Sequence, residues 1–210
     1  GSYGCTDFYN STTATATLTI LDSGKVDFLA APGVYNNREP GGCVAQREMQ
    51  DSFRLRGQMF VAEEDSRTHL EDTFYRDAMG LYDVRDSIIT LKRDFARVLC
   101  EDIYAWWFDQ HAEGGRYQHE EIYRLFARQK EIGEFAYSLN RAKNNEIALV
   151  YDQESCHAVS AYTNMMMLDY YRTSDLHRIA APVDYYFHND LYRDDMPDYK
   201  LYIMMNLFRL

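Results

Sequence analysis

The chain has 210 residues, 22 Lys plus Arg against 33 Asp plus Glu, and a formal charge of −11. That balance argues against a nucleic-acid binder or a basic membrane-surface helix, both of which need clustered cations. With 46% hydrophobic and 15% aromatic residues, the chain is expected to fold around a sizeable core, as one large domain or two smaller ones.

Thr15 to Leu21 alternates loosely and reads as a strand. Val26 to Ala31 reads as a short buried strand stopped by Pro32-Gly33, and a loop rich in turn formers follows to Gly42. A short polar helix is expected over 46–55, with a turn at Gly57. Met59-Phe60-Val61-Ala62 is the next strand, and it runs into Glu63-Glu64-Asp65-Ser66-Arg67-Thr68-His69, the densest ionisable cluster of the chain. Asp83 is placed to cap a long helix whose apolar face carries Val84, Ile88, Leu91, Phe95 and Val98. A strand over 103–108, a loop over 111–115 and a second long helix over 119–139 follow. After Asn145 the pattern restarts: strands over 147–151, 183–187 and 199–205, with a helical stretch over 160–179. Ending at such a strand, the chain is expected to carry an incomplete second domain.

Strand alternating with helix predicts an α/β architecture with parallel sheets. In such folds the polar residues just past each strand's C-terminal end build the site. Three strand ends fit that rule. One opens the Arg38 loop, one the acidic cluster and one the segment with Asp109 and His111. Adjacent strand residues face opposite ways, so at most one of Trp106 and Trp107 lines a pocket while the other packs under a helix. No stretch approaches the roughly 18 apolar residues of a membrane span, and residues 1–13 lack the hydrophobic stretch of a signal peptide. Cys5, Cys43, Cys100 and Cys156 form no CxxC pair, and no His or Cys spacing makes a metal site. Cys156-His157 lacks the glycines of a nucleophile elbow, and Met165-Met166-Met167 reads as helix core or interface.

Three collinear stretches carry a family resemblance: Val26 to Pro32 with Tyr35 and Arg38 to Gly42, then Val61 to Leu70, then Trp106-Trp107-Phe108-Asp109. In order and spacing they resemble the later strands of the β-galactosidase-like (family 42 type) glycoside hydrolase barrel. Glu146 to Ser155, Ala181 to Asp184 and Asp198 to Tyr202 resemble the start of the β-galactosidase trimerisation domain. The resemblance implies that 1–143 is the C-terminal part of a (β/α)8 TIM-type barrel. Residues 144–210 would then begin an α/β, glutamine-amidotransferase-like trimerisation domain. It implies part of a retaining exo-glycosidase that takes a carbohydrate substrate, needs no cofactor or metal, and assembles as a trimer. The nucleophile role falls on Glu63, with Glu64 as the rival through a one-residue slip of register. Arg38, Arg67, Trp106, Trp107 and Asp109 become candidate substrate-binding residues. The acid/base carboxylate would come from an earlier strand that has no counterpart here. The alternative is a non-catalytic oligomerisation or carbohydrate-binding module built on a degenerate barrel. Neither partner nucleic acid nor membrane is expected. The compartment is left open between cytoplasm and, behind an upstream signal, periplasm or exterior.

Overall fold

The computed structural model describes residues 16–110, 114–160, 162–163, 166–167, 171 and 175–208. In chain order the elements are α1 (Thr17–Asp22), β1 (Phe28–Pro32), α2 (Gln50–Arg54), β2 (Met59–Glu64), α3 (Thr73–Met79), α4 (Val84–Glu101), β3 (Tyr104–Trp107), α5 (Glu120–Tyr137), β4 (Ile147–Tyr151), β5 (Val183–Phe187) and β6 (Leu201–Met204). The fold class is mixed α/β. The strands form two three-stranded sheets, ordered β1-β2-β3 and β5-β4-β6. The chain divides into two compact units. Of the described residues, one gathers those within 16–36, 43–62 and 144–208, and the other those within 37–42 and 63–143.

In the first unit β4 is the central strand. It pairs in parallel with β5, from Ile147↔Val183 to Tyr151↔Phe187, and with β6, from Ile147↔Leu201 to Val150↔Met204. Ala148, Leu149, Val150 and Tyr151 are all buried, as expected of a parallel strand covered on both faces. An order that puts the first strand between the next two is that of a doubly wound switch point, where ligands often enter. At that end of β4 the chain's own side chains bond to the backbone. Asn206 Oδ1 accepts from the Asp152 amide and its Nδ2 donates to the Asp152 carbonyl, both at 2.8 Å. Cys156 is buried against the Tyr151 hydroxyl, while His157 is exposed.

The outer edge of β5 is covered by α2. Asp51 Oδ2 accepts from the Tyr185 amide at 2.8 Å, and Ser52 Oγ accepts from the Phe187 amide at 2.9 Å. Side chains thus satisfy the outward N–H groups that an edge strand would offer to another chain. Arg56 anchors the same region, reaching Asp22 and the buried Asp190 at 2.7 Å each. Phe53 meets Phe60 edge to face at 5.4 Å in the core beneath.

Residues 17–22 are helical, which corrects the expectation of a strand there. Threonine-rich composition is a weak local preference. Burial of Thr17 and Leu21, with the Gln58 amide donating to the Leu21 carbonyl at 3.1 Å, overrides it. The helical stretch expected over 160–179 lies mostly outside the described residues, as do Cys5, His111 and Met165; a short 3-10 turn covers Leu176–Arg178. Met166 and Met167 are half-buried.

The second unit is a helix pair packed on strand. Asp83 caps α4 in a full capping box with Asp86. His119 caps α5 through its side chain. Leu91, Tyr117, Ile122 and Leu125 form the core between the helices, with Ile88, Trp107 and Phe126 against it. The helix α3 was not anticipated. Its signals are legible in retrospect: Asp72 caps the start, accepting from the Tyr75 amide, and Gly80 at φ 63° closes the end.

Candidate functional site

Three loops of the second unit meet, and arginines join them. Arg38 Nη1 lies 2.5 Å from Asp65 Oδ1. Arg116 Nη1 donates to the Asp65 carbonyl at 2.8 Å, and its Nε lies 2.5 Å from Glu71 Oε1. The Arg116 amide in turn donates to Asp109 Oδ1 at 2.6 Å. The loops carrying Arg38, the acidic cluster and Asp109 are therefore one connected structure. Arg93 fastens the first of them from α4, donating to the Glu39 and Arg38 carbonyls at 2.8 and 3.3 Å. Tyr117 Oη donates between the Glu64 and Ser66 carbonyls, at 3.1 and 3.0 Å. Burial holds its phenol far above the ordinary range.

The strand β2 runs two residues further than expected, so both glutamates belong to it. Alternation then gives them different surroundings. Glu64 is buried and faces the helices, 2.5 Å from Arg97 Nη2 on α4. Burial raises its carboxyl above the usual glutamate value, against the pull of Arg97. Glu63 points the other way and is half-exposed. Burial first, and the Asp65 charge second, raise its carboxyl too. Glu64, Asp65, Glu71 and Asp94 each sit in an arginine ion pair. Among the described carboxylates of 63–71 in this cluster, Glu63 makes no such pair; Asp109, on the neighbouring loop, accepts from the Arg116 amide and makes none either.

The two tryptophans divide as strand alternation requires. Trp107 stacks on Phe126 at 4.6 Å and lies edge to face with Tyr117 at 6.0 Å, beneath α5. Trp106 is 51% exposed and stacks on Phe108, with ring planes 8° apart. Since Glu64 and Trp107 both line the space under α4 and α5, Glu63 and Trp106 face the opposite side.

Arg67 was expected near the nucleophile. It sits 3.4 Å from Glu71 and 3.5 Å over the Tyr75 ring. Arg38 is buried in its pair with Asp65, which makes it a brace for the acidic loop. Asp109 is exposed but already accepts from its own loop. Gly115, at φ +83°, leaves the room its carboxylate occupies. Arg97, Arg116 and Tyr117 were missed by the sequence reading. The four-residue spacing of Arg93 and Arg97 along α4, toward the acidic cluster, was the available signal for the first.

No family profile, curated protein or solved structure matches the chain. Among the described residues no group of His, Cys, Asp and Glu is arranged to hold a metal ion. No described helix is long and apolar enough to cross a membrane.

Proposed function

We propose that the chain is part of a retaining exo-glycoside hydrolase of the β-galactosidase type, with Glu63 as its nucleophile. The observation that carries the reading is the isolation of Glu63. Glu64, Asp65 and Glu71 are each held by an arginine, and Glu63 stands at a strand's C-terminal end, half-exposed and without such a partner. A carboxylate in that position can attack an anomeric carbon, forming a glycosyl ester as the C–O bond to the leaving group breaks. Water then cleaves the ester with net retention. On this reading residues 1–143 are the late part of a (β/α)8 barrel, and 144–210 begin a trimerisation domain. The β5-β4-β6 order supports a doubly wound domain of that kind.

Turnover of aryl glycosides by Glu63→Gln and Glu64→Gln variants tests the assignment. Loss of hydrolysis in the first, with the second active wherever it is folded, is expected. Full turnover in Glu63→Gln removes Glu63 as nucleophile. A second reading, a carbohydrate-binding module, is favoured by one observation: the exposed Trp106 indole stacked on Phe108, a flat surface suited to sugar C–H faces. Sugar binding that persists in Glu63→Gln without turnover in the unsubstituted protein would favour it.

A further inference from the structure

On the opposite side of β3 from Trp106, the second unit holds a cavity of about 630 Å³ between that strand and helices α4 and α5. Phe95, Val98 and Leu99 of α4, Trp107 of β3 and Phe126 of α5 line it. Its volume lies within the range that receives small organic ligands. The charges at its margin are paired: Arg141 lies 2.8 Å from Asp102, Lys130 lies 3.8 Å from Glu134, and Glu64, also in the lining, lies 2.5 Å from Arg97. No net field selects an ion there. One polar group in the wall is unused. Gln129 is 3% exposed and its Nε2 donates to the Leu91 carbonyl at 3.1 Å, but its Oε1 is buried without a hydrogen-bond partner. Such an acceptor is costly unless something donates to it.

We propose that this cavity binds a neutral, flat aromatic molecule carrying one hydroxyl or N–H donor. The rings of Trp107 and Phe126, stacked at 4.6 Å, give the ligand's faces and edges aromatic contact. The Gln129 oxygen is buried beside the cavity, and the amide turns on binding to bring it to the donor. The inference is independent of the glycosidase reading, because the cavity lies on the helix side of the strand and Glu63 on the other.

The test uses the whole chain with 2-naphthol and naphthalene as probes, followed by tryptophan fluorescence and calorimetry. One-to-one binding is expected, with 2-naphthol about fivefold tighter than naphthalene through the added hydrogen bond. Gln129→Leu should erase that preference while keeping naphthalene binding. Gly133→Leu should abolish binding of both by filling the space. A β-carbon at Gly133 meets the Phe95 ring at an ordinary 3.9 Å, so the backbone accepts the change. If that variant loses its helical circular dichroism, Ala105→Leu, which fills the cavity from the strand side, is read instead. No saturable binding overturns the proposal, as does binding unchanged in a folded, filled variant or equal affinity for the two probes.

Discussion

Arg38 and Asp65 stand 27 positions apart in the chain and meet at 2.5 Å, with each side chain only 7% exposed. A short-range turn cannot make that contact; it exists because two strand-end loops are brought together. The pair fixes where the chain goes after β2. Removing one partner leaves the other charge buried, at a cost on the order of 3 kcal/mol. Arg38→Met should therefore lower unfolding stability more than the double change Arg38→Met/Asp65→Asn, measured by urea denaturation. Equal losses would show that the pair carries no coupling.

The carboxyl of Glu63 is raised by burial and by Asp65. A nucleophile must be ionised, so its activity is lost on acidification at a pH above the solvent-exposed glutamate value of 4.5. Asp65→Asn removes one of the two raising causes, and the acid limb should move downward. The check is the pH dependence of inactivation by an activated 2-fluoro-glycoside. The stability sign is opposite to that of a salt-bridged acid. Between 4.5 and the folded value the native chain keeps a proton that the unfolded chain has lost, so stability falls as pH rises through that window.

Trp106 and Trp107 should respond differently to truncation. Trp107→Ala empties the stack with Phe126 and should cost about 3 kcal/mol, read as a lower thermal midpoint. Trp106→Ala touches an exposed ring and should change stability by less than about 0.5 kcal/mol. If the sugar face is where we place it, Trp106→Ala weakens carbohydrate binding and Trp107→Ala does so only through unfolding.

At the edge of β5, Asp51→Ala and Ser52→Ala each strip a buried acceptor from a strand amide. Each should cost roughly 1 to 3 kcal/mol. The double variant exposes the edge and should self-associate, which light scattering detects. A monodisperse double variant would show that other groups cover those amides.

Much of the fold was legible because its strands and long helices state themselves locally. β5 falls where the apolar run places it, and Asp83 announces α4 as a capping residue should. The 17–22 segment was misread because its helix depends on Gln58 and on burial of Leu21, neither of which a window of sequence contains. The site was legible as a set of loops and not as a set of contacts. Arg38, Asp65 and Asp109 were each visible as strand-end polar residues. Arg116, which joins two of their loops, and Arg97, which separates the environments of Glu64 and Glu63, act across distances that only the fold supplies.

The measurement that bears most directly on the account is covalent trapping. A panel of 2-deoxy-2-fluoro glycosyl fluorides is incubated with the protein, which is then digested and mapped by mass spectrometry. Fluoride leaves without acid assistance, so the trap reads the nucleophile alone: the carboxylate oxygen bonds to the anomeric carbon as the C–F bond breaks. The account predicts one fluorosugar ester, on Glu63, absent from Glu63→Gln. An ester on Glu64 or elsewhere, or none with any sugar from folded protein, contradicts it.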